Sequence, residues 1–115
     1  SNITLSKDKK LLTVTFDETD YPMTSEYLRV YSPSAEVQGH GPGQETLQLN
    51  KQDVTIQTLV PMGNYAIAIH FSDGHTTGIY SWSNLYKLGT NKDELWLDYC
   101  KRVENNTKNY HEVQI

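Results

Sequence analysis

Four histidines, one cysteine and a glycine-rich segment are the residues of this 115-residue chain whose types could carry chemistry. His70 and His75 bracket Asp73-Gly74, a dipeptide that favours a tight turn, and His40 lies in Gly39-His40-Gly41-Pro42-Gly43-Gln44. If the glycine-rich loop folds over that turn, His75, His40 and a carboxylate such as Glu36 or Asp73 could surround zinc or iron. The opposing observation is chemical. Structural zinc takes four good ligands, usually including thiolates, and Cys100 is the only cysteine, which also excludes an intramolecular disulfide. Non-haem iron sites commonly begin with His-x-Asp or His-x-Glu, and neither occurs here. A turn histidine more often makes hydrogen bonds than it binds a metal, so the leading expectation is that no cofactor is bound.

The remaining chemical motifs are incomplete. The glycine-rich loop lacks the Gly-Lys-Ser or Gly-Lys-Thr of a phosphate loop and the Gly-x-Gly-x-x-Gly spacing of a dinucleotide site. Ser32, Ser34, Ser72, Ser81 and Ser83 all fall outside Gly-x-Ser-x-Gly, and Cys100 falls on the apolar face of an expected helix, where a thiol is inert. Asp17, Glu18 and Asp20 read as a solvated edge, and Tyr80, Trp82, Tyr86, Trp96 and Tyr99 as core and helix anchors, any exposed member being a candidate contact for a partner. No nucleophile, base and oxyanion donor can be named together, so the chain is expected not to be an enzyme.

The elements that must position these residues follow from periodicity. Leu11-Leu12-Thr13-Val14-Thr15-Phe16 alternates as a strand, and with Ile3-Thr4-Leu5 it forms an expected hairpin about the polar tip Lys7-Asp8-Lys9-Lys10. Residues 24–31 read as a short helix with a Ser or Thr cap, stopped before Pro33. The three glycines and two prolines of 32–44 predict a long loop without regular structure. Residues 54–60, 65–71 and 76–80 alternate, with turn residues between them, which predicts a three-stranded antiparallel meander. Ser81 or Ser83 can cap a short helix closed by Gly89, and residues 93–103 form a C-terminal helix followed by a frayed polar tail over 104–115. The fold class is therefore α+β: a small, mostly antiparallel sheet with short flanking helices, in a single domain over 1–115.

Bulk composition narrows the partners. Apolar residues at 37% are enough for a modest core, and a formal charge of −4 opposes nucleic acid and anionic lipid. The chain carries no run near the roughly 20 apolar residues of a membrane span, and its opening lacks the order of a signal peptide. These features, with the lone cysteine, place the expected location in the cytoplasm and leave a protein of unknown identity as the expected partner. In that setting Asn2-Ile3-Thr4 and Asn105-Asn106-Thr107 are surface polar residues rather than glycosylation sites.

Several segments taken together resemble one family: Leu28-Arg29, Ser32-Pro33-Ser34-Ala35, Gly63-Asn64-Tyr65-Ala66, Asp73-Gly74-His75-Thr76-Thr77-Gly78-Ile79-Tyr80-Ser81-Trp82, and Leu85. They are similar to the γ-butyrobetaine hydroxylase-like N-terminal domain, also called domain of unknown function 971, over about 11–88. The resemblance implies a small antiparallel β domain with flanking helices. In the carnitine-pathway hydroxylases it precedes a dioxygenase domain and holds zinc through Cys-x-Cys-x-x-Cys and a distant histidine. Those positions correspond here to Ser32, Ser34, Val37 and His75, so the zinc is not carried over, and neither is the activity of the missing catalytic domain. The chain resembles a stand-alone bacterial-type member. Attachment of related domains to iron–sulfur scaffold ATPases implies a docking role in cluster assembly. The expected contact surface comprises Ser32, Ser34, Glu36, His40, Gln44, Asp73 and His75.

Overall fold

The computed structural model describes residues 2–39 and 45–113, with side chains through residue 106. His40 and Gln44, expected at the contact surface, lie outside the described residues.

Two three-stranded antiparallel sheets share one core. In the first, β1 (Asn2–Leu5), β2 (Leu11–Phe16) and β3 (Thr19–Thr24) lie in sequence order. Alternation along β2 sends Leu12 and Val14 inward, where both are fully buried. The expected hairpin is thus a meander, because Thr19–Thr24 is a third strand. Asp17 and Glu18 make a two-residue connection with φ of 48° and 66°, the paired left-handed conformation that joins twisted strands. Neither residue is the glycine or asparagine that announces such a turn. Pro22, which argues against a strand, sits on an edge strand opposite Thr13, where a missing N–H is tolerated.

Helix α1 (Ser25–Val30) starts at Thr24, whose hydroxyl accepts the Tyr27 amide at 3.1 Å. Its Tyr27, Leu28 and Val30 are buried, and the Tyr27 hydroxyl donates to the Leu88 carbonyl at 2.6 Å. The segment expected to lack regular structure contains one helical turn, α2 (Ala35–Gln38). Ser34 stands at its N-cap position and Gly39, at φ 73°, ends it. Good helix formers between two terminators outweigh the loop composition around them.

The second sheet is the expected meander: β4 (Ile56–Met62), β5 (Ala66–Phe71) and β6 (Gly78–Ser81). Ile67, Ile69, Phe71 and Tyr80 join Leu12, Val14, Met23 and Leu28 in the core. His70 is paired with Thr58 and only partly buried. As the neighbour of Phe71 along a strand, it stands on the opposite face.

Helix α3 (Trp82–Thr90) is capped by Ser81, whose hydroxyl accepts the Asn84 amide at 3.0 Å. Gly89 lies inside this helix instead of closing it. Its role is close approach, since a Cβ there would sit 2.9 Å from the Tyr21 Cβ. Helix α4 runs over Lys92–Val113, well past the expected end at 103, so regular structure reaches far into the tail expected to fray over 104–115. Continuation needs only helix-tolerant residues, and an Asp98–Arg102 pair one turn apart supports it. Leu95, Trp96 and Tyr99 face the body, whereas Cys100 is exposed. That corrects the buried thiol expected from spacing: the stripe is narrower than the helical pattern suggested. Among the described residues no helix is long and apolar enough to cross a membrane.

Candidate functional site

Ser32 follows α1, its amide donating to the Arg29 carbonyl at 3.3 Å, and its own carbonyl accepts from Gln38 Nε2 at 2.9 Å. Ser34 then opens α2. Across the molecule, Asp73, Gly74 and His75 form the turn between β5 and β6, with Gly74 at φ 88°. The Phe71 amide donates to the His75 carbonyl at 3.0 Å, and the His75 amide donates to Asp73 Oδ1 at 3.2 Å, which aims the imidazole inward against the Phe71 ring.

These two segments meet at one point. His75 Nε2 lies 2.8 Å from Ser32 Oγ and 3.3 Å from Ser34 Oγ, and the two hydroxyls are 3.3 Å apart. Ser32 has no exposed surface, and Ser34 and His75 are 7% and 5% exposed. Burial, and then the nearby Arg29 charge, hold the imidazole below its ordinary pKa, against the weaker opposing pull of Glu36 and Asp73. The ring is neutral at neutral pH. Its Nδ1 faces Glu36 Oε2 at 3.6 Å, and its Nε2 is turned toward the two serine hydroxyls. Glu36 Oε1 accepts from Thr77 Oγ1 at 3.0 Å on the exposed side.

A charged network flanks this corner. Asp73 Oδ2 lies 2.9 Å from both Arg29 Nε and Lys51 Nζ. Burial raises the Asp73 carboxyl, but Lys51, the His75 amide and Arg29 outweigh it and bring it down to about 2. The Arg29 side chain is 8% exposed, and its Nη1 is buried without a hydrogen-bond partner among the described residues. Gly78 leaves the space in which Ser32 sits: a Cβ at 78 would come within 2.8 Å of Ser32 Oγ and 3.0 Å of Tyr80 Cε1.

The order hydroxyl, imidazole, carboxylate is that of a nucleophilic relay, but the geometry does not serve one. Ser32 is inaccessible, and the carboxylate at 3.6 Å is beyond hydrogen-bond length. Clefts of about 320 Å³ and 260 Å³ are lined by other residues, the first including Asn84, Lys87 and Leu95, the second Glu26, Lys92 and Trp96.

The donors also do not fit the zinc that the resemblance raises. Two neutral hydroxyls already share the imidazole nitrogen, and the third position is the buried aliphatic Val37. Among the described residues no three of His, Cys, Asp and Glu gather as ligands. Of the residues named from sequence, Ser32, Ser34, Glu36, Asp73 and His75 come together. Arg29, Lys51, Thr77 and Gly78 were missed. Arg29 offered a signal, a charge between the apolar Leu28 and Val30 of a short helix.

Residues 3–86 match the family model described as gamma-butyrobetaine hydroxylase-like, N-terminal. No curated protein matches the chain. Two proteins with NMR solution structures are similar to it. One is 44% identical, covering 93% of this chain and 85% of its own with a TM-score of 0.81; the other is 41% identical, covering 93% and 80% with a TM-score of 0.78. A crystal structure from Acidithiobacillus ferrooxidans, of a protein of unknown function in the domain of unknown function 971 family, is 32% identical. The match covers 77% of this chain and 90% of that one, with a TM-score of 0.64.

Proposed function

The chain belongs to the γ-butyrobetaine hydroxylase-like N-terminal family, and from that premise we propose that it is a non-catalytic accessory domain that docks a protein partner. The observation that carries this reading is the closed polar corner. Every group there that could do chemistry is engaged internally: Ser32 and Ser34 with His75, and Asp73 with Arg29 and Lys51. What the corner offers to the outside is a polar face in which Glu36 and Thr77 are exposed and hydrogen-bonded to each other. A hydrogen-bonded polar rim suits recognition, because a side chain already paired loses less freedom on binding.

The cytoplasm is the compartment proposed for this work, and the association of related domains with iron–sulfur scaffold ATPases makes cluster assembly the process proposed for the partner. The test is capture of cytoplasmic proteins by the wild-type chain, by E36K/T77K, and by a T13K/T15K control on the first sheet. One partner retained by wild type and control but lost with E36K/T77K is the expected result. Equal capture by all three chains, or substrate turnover without any partner, would contradict the reading.

A further inference from the structure

We infer that Ser32, Ser34 and His75 form a metal-free clasp, a hydrogen-bonded cluster of three side chains that fastens the α2 segment to the β5–β6 turn. This deepens the docking reading, since the clasp sets the face on which Glu36 and Thr77 stand. The triangle joins residues 43 and 41 positions apart, so it closes a long loop whose ordering must be stabilised by specific contacts. Its corners are three of the five buried polar or charged residues described, and they satisfy one another at 2.8 to 3.3 Å. A buried polar atom that loses a partner keeps its desolvation cost, so removing one corner leaves the remaining pair with fewer hydrogen bonds than their burial requires.

Three features show the triangle to be built for hydroxyls. The Ser34 amide also donates to Ser32 Oγ at 3.3 Å, so that oxygen both accepts and donates. The backbone of Gly78 packs closely enough that an added methyl would meet the same oxygen at 2.8 Å. The imidazole nitrogen that would face a metal is the atom against which both hydroxyls lie. Hydrogen bonds here do the cross-linking that a bound ion does elsewhere.

The test is amide hydrogen exchange and thermal melting of isolated S32A and S34A proteins, read against wild type, with S32C/S34C in reductant as the converse variant. Each alanine variant is expected to speed exchange over 32–38 and 73–77 by roughly tenfold and to lower the melting midpoint by about 5 °C, with β2 and β5 still slow. Zinc chloride should raise the midpoint of S32C/S34C, where two thiolates and His75 converge, and leave wild type unmoved. Wild-type exchange rates in both alanine variants, a wild-type melt that moves with zinc, or an S32C/S34C melt that ignores zinc would each overturn the clasp. No partner is present in these measurements, so their failure leaves the docking reading standing, and loss of capture by E36K/T77K says nothing against the clasp.

Discussion

Asp73 holds three partners at once, and its carboxylate explains more of the corner than its position in a turn suggests. With Arg29 nearly buried beside it, removing the carboxylate strands a positive charge, a change that costs about 3–5 kcal/mol in fully buried pairs. Because the Asp73 side chain is 21% exposed, D73N should fall at or below the low end of that range, and K51A, which removes the less buried of the two cations, should cost about 1 kcal/mol or less. Chemical denaturation of the two variants checks the order. The pH dependence follows from the same contacts. A carboxyl lowered from 3.8 to about 2 contributes its full share of stability above the unfolded value and loses it as pH falls toward the folded one. The wild-type midpoint should therefore drop between about pH 4 and pH 2 more steeply than that of D73N. Residue types brought forward Glu36, Asp73 and His75, and Ser32 and Ser34 entered through the family resemblance, which sets them where related domains carry zinc cysteines. Arg29 was passed over because a cation in a short helix ordinarily faces water, and its place between Leu28 and Val30 is a weak signal against that expectation.

Among the elements, β3 and Gly89 mark where local signals and the fold part company. The strand was hidden by Pro22 and by a turn made from two acidic residues, features that are tolerated because β3 lies at a sheet edge. Asp17 and Glu18 at positive φ imply unrelieved strain, so D17N/E18G, which installs the favoured residues, should stabilise the fold by about 1 kcal/mol in denaturant melts. An interior helical glycine normally gains about 1 kcal/mol on change to alanine, and Gly89 should reverse that sign. Its added Cβ would meet the Tyr21 Cβ at 2.9 Å, and backbone-anchored atoms do not swing aside. A melt of G89A that rises instead of falling would mean that α3 shifts away from β3 at little cost. By contrast, the β4–β5–β6 meander and a serine cap at 81 or 83 were legible from sequence, because alternation and turn chemistry agree there with the tertiary packing, which selects Ser81. S81A is expected to cost about 1 kcal/mol, the usual worth of such a cap.

At the scale of the molecule, both sheets and α1 contribute to one core, and the corner is a place where two segments distant in sequence are joined by side-chain polar groups on both sides. The family match ends at residue 86, and α4 beyond it packs through Leu95, Trp96 and Tyr99 on the side of α1. A corner complete with protein atoms alone is tested most directly by elemental analysis of wild-type protein purified without a metal-affinity step, paired with a melt with and without a strong chelator. Zinc and iron far below one equivalent, together with an unchanged midpoint, are the predicted result. Near-stoichiometric zinc or iron that the chelator removes while lowering the midpoint would contradict it.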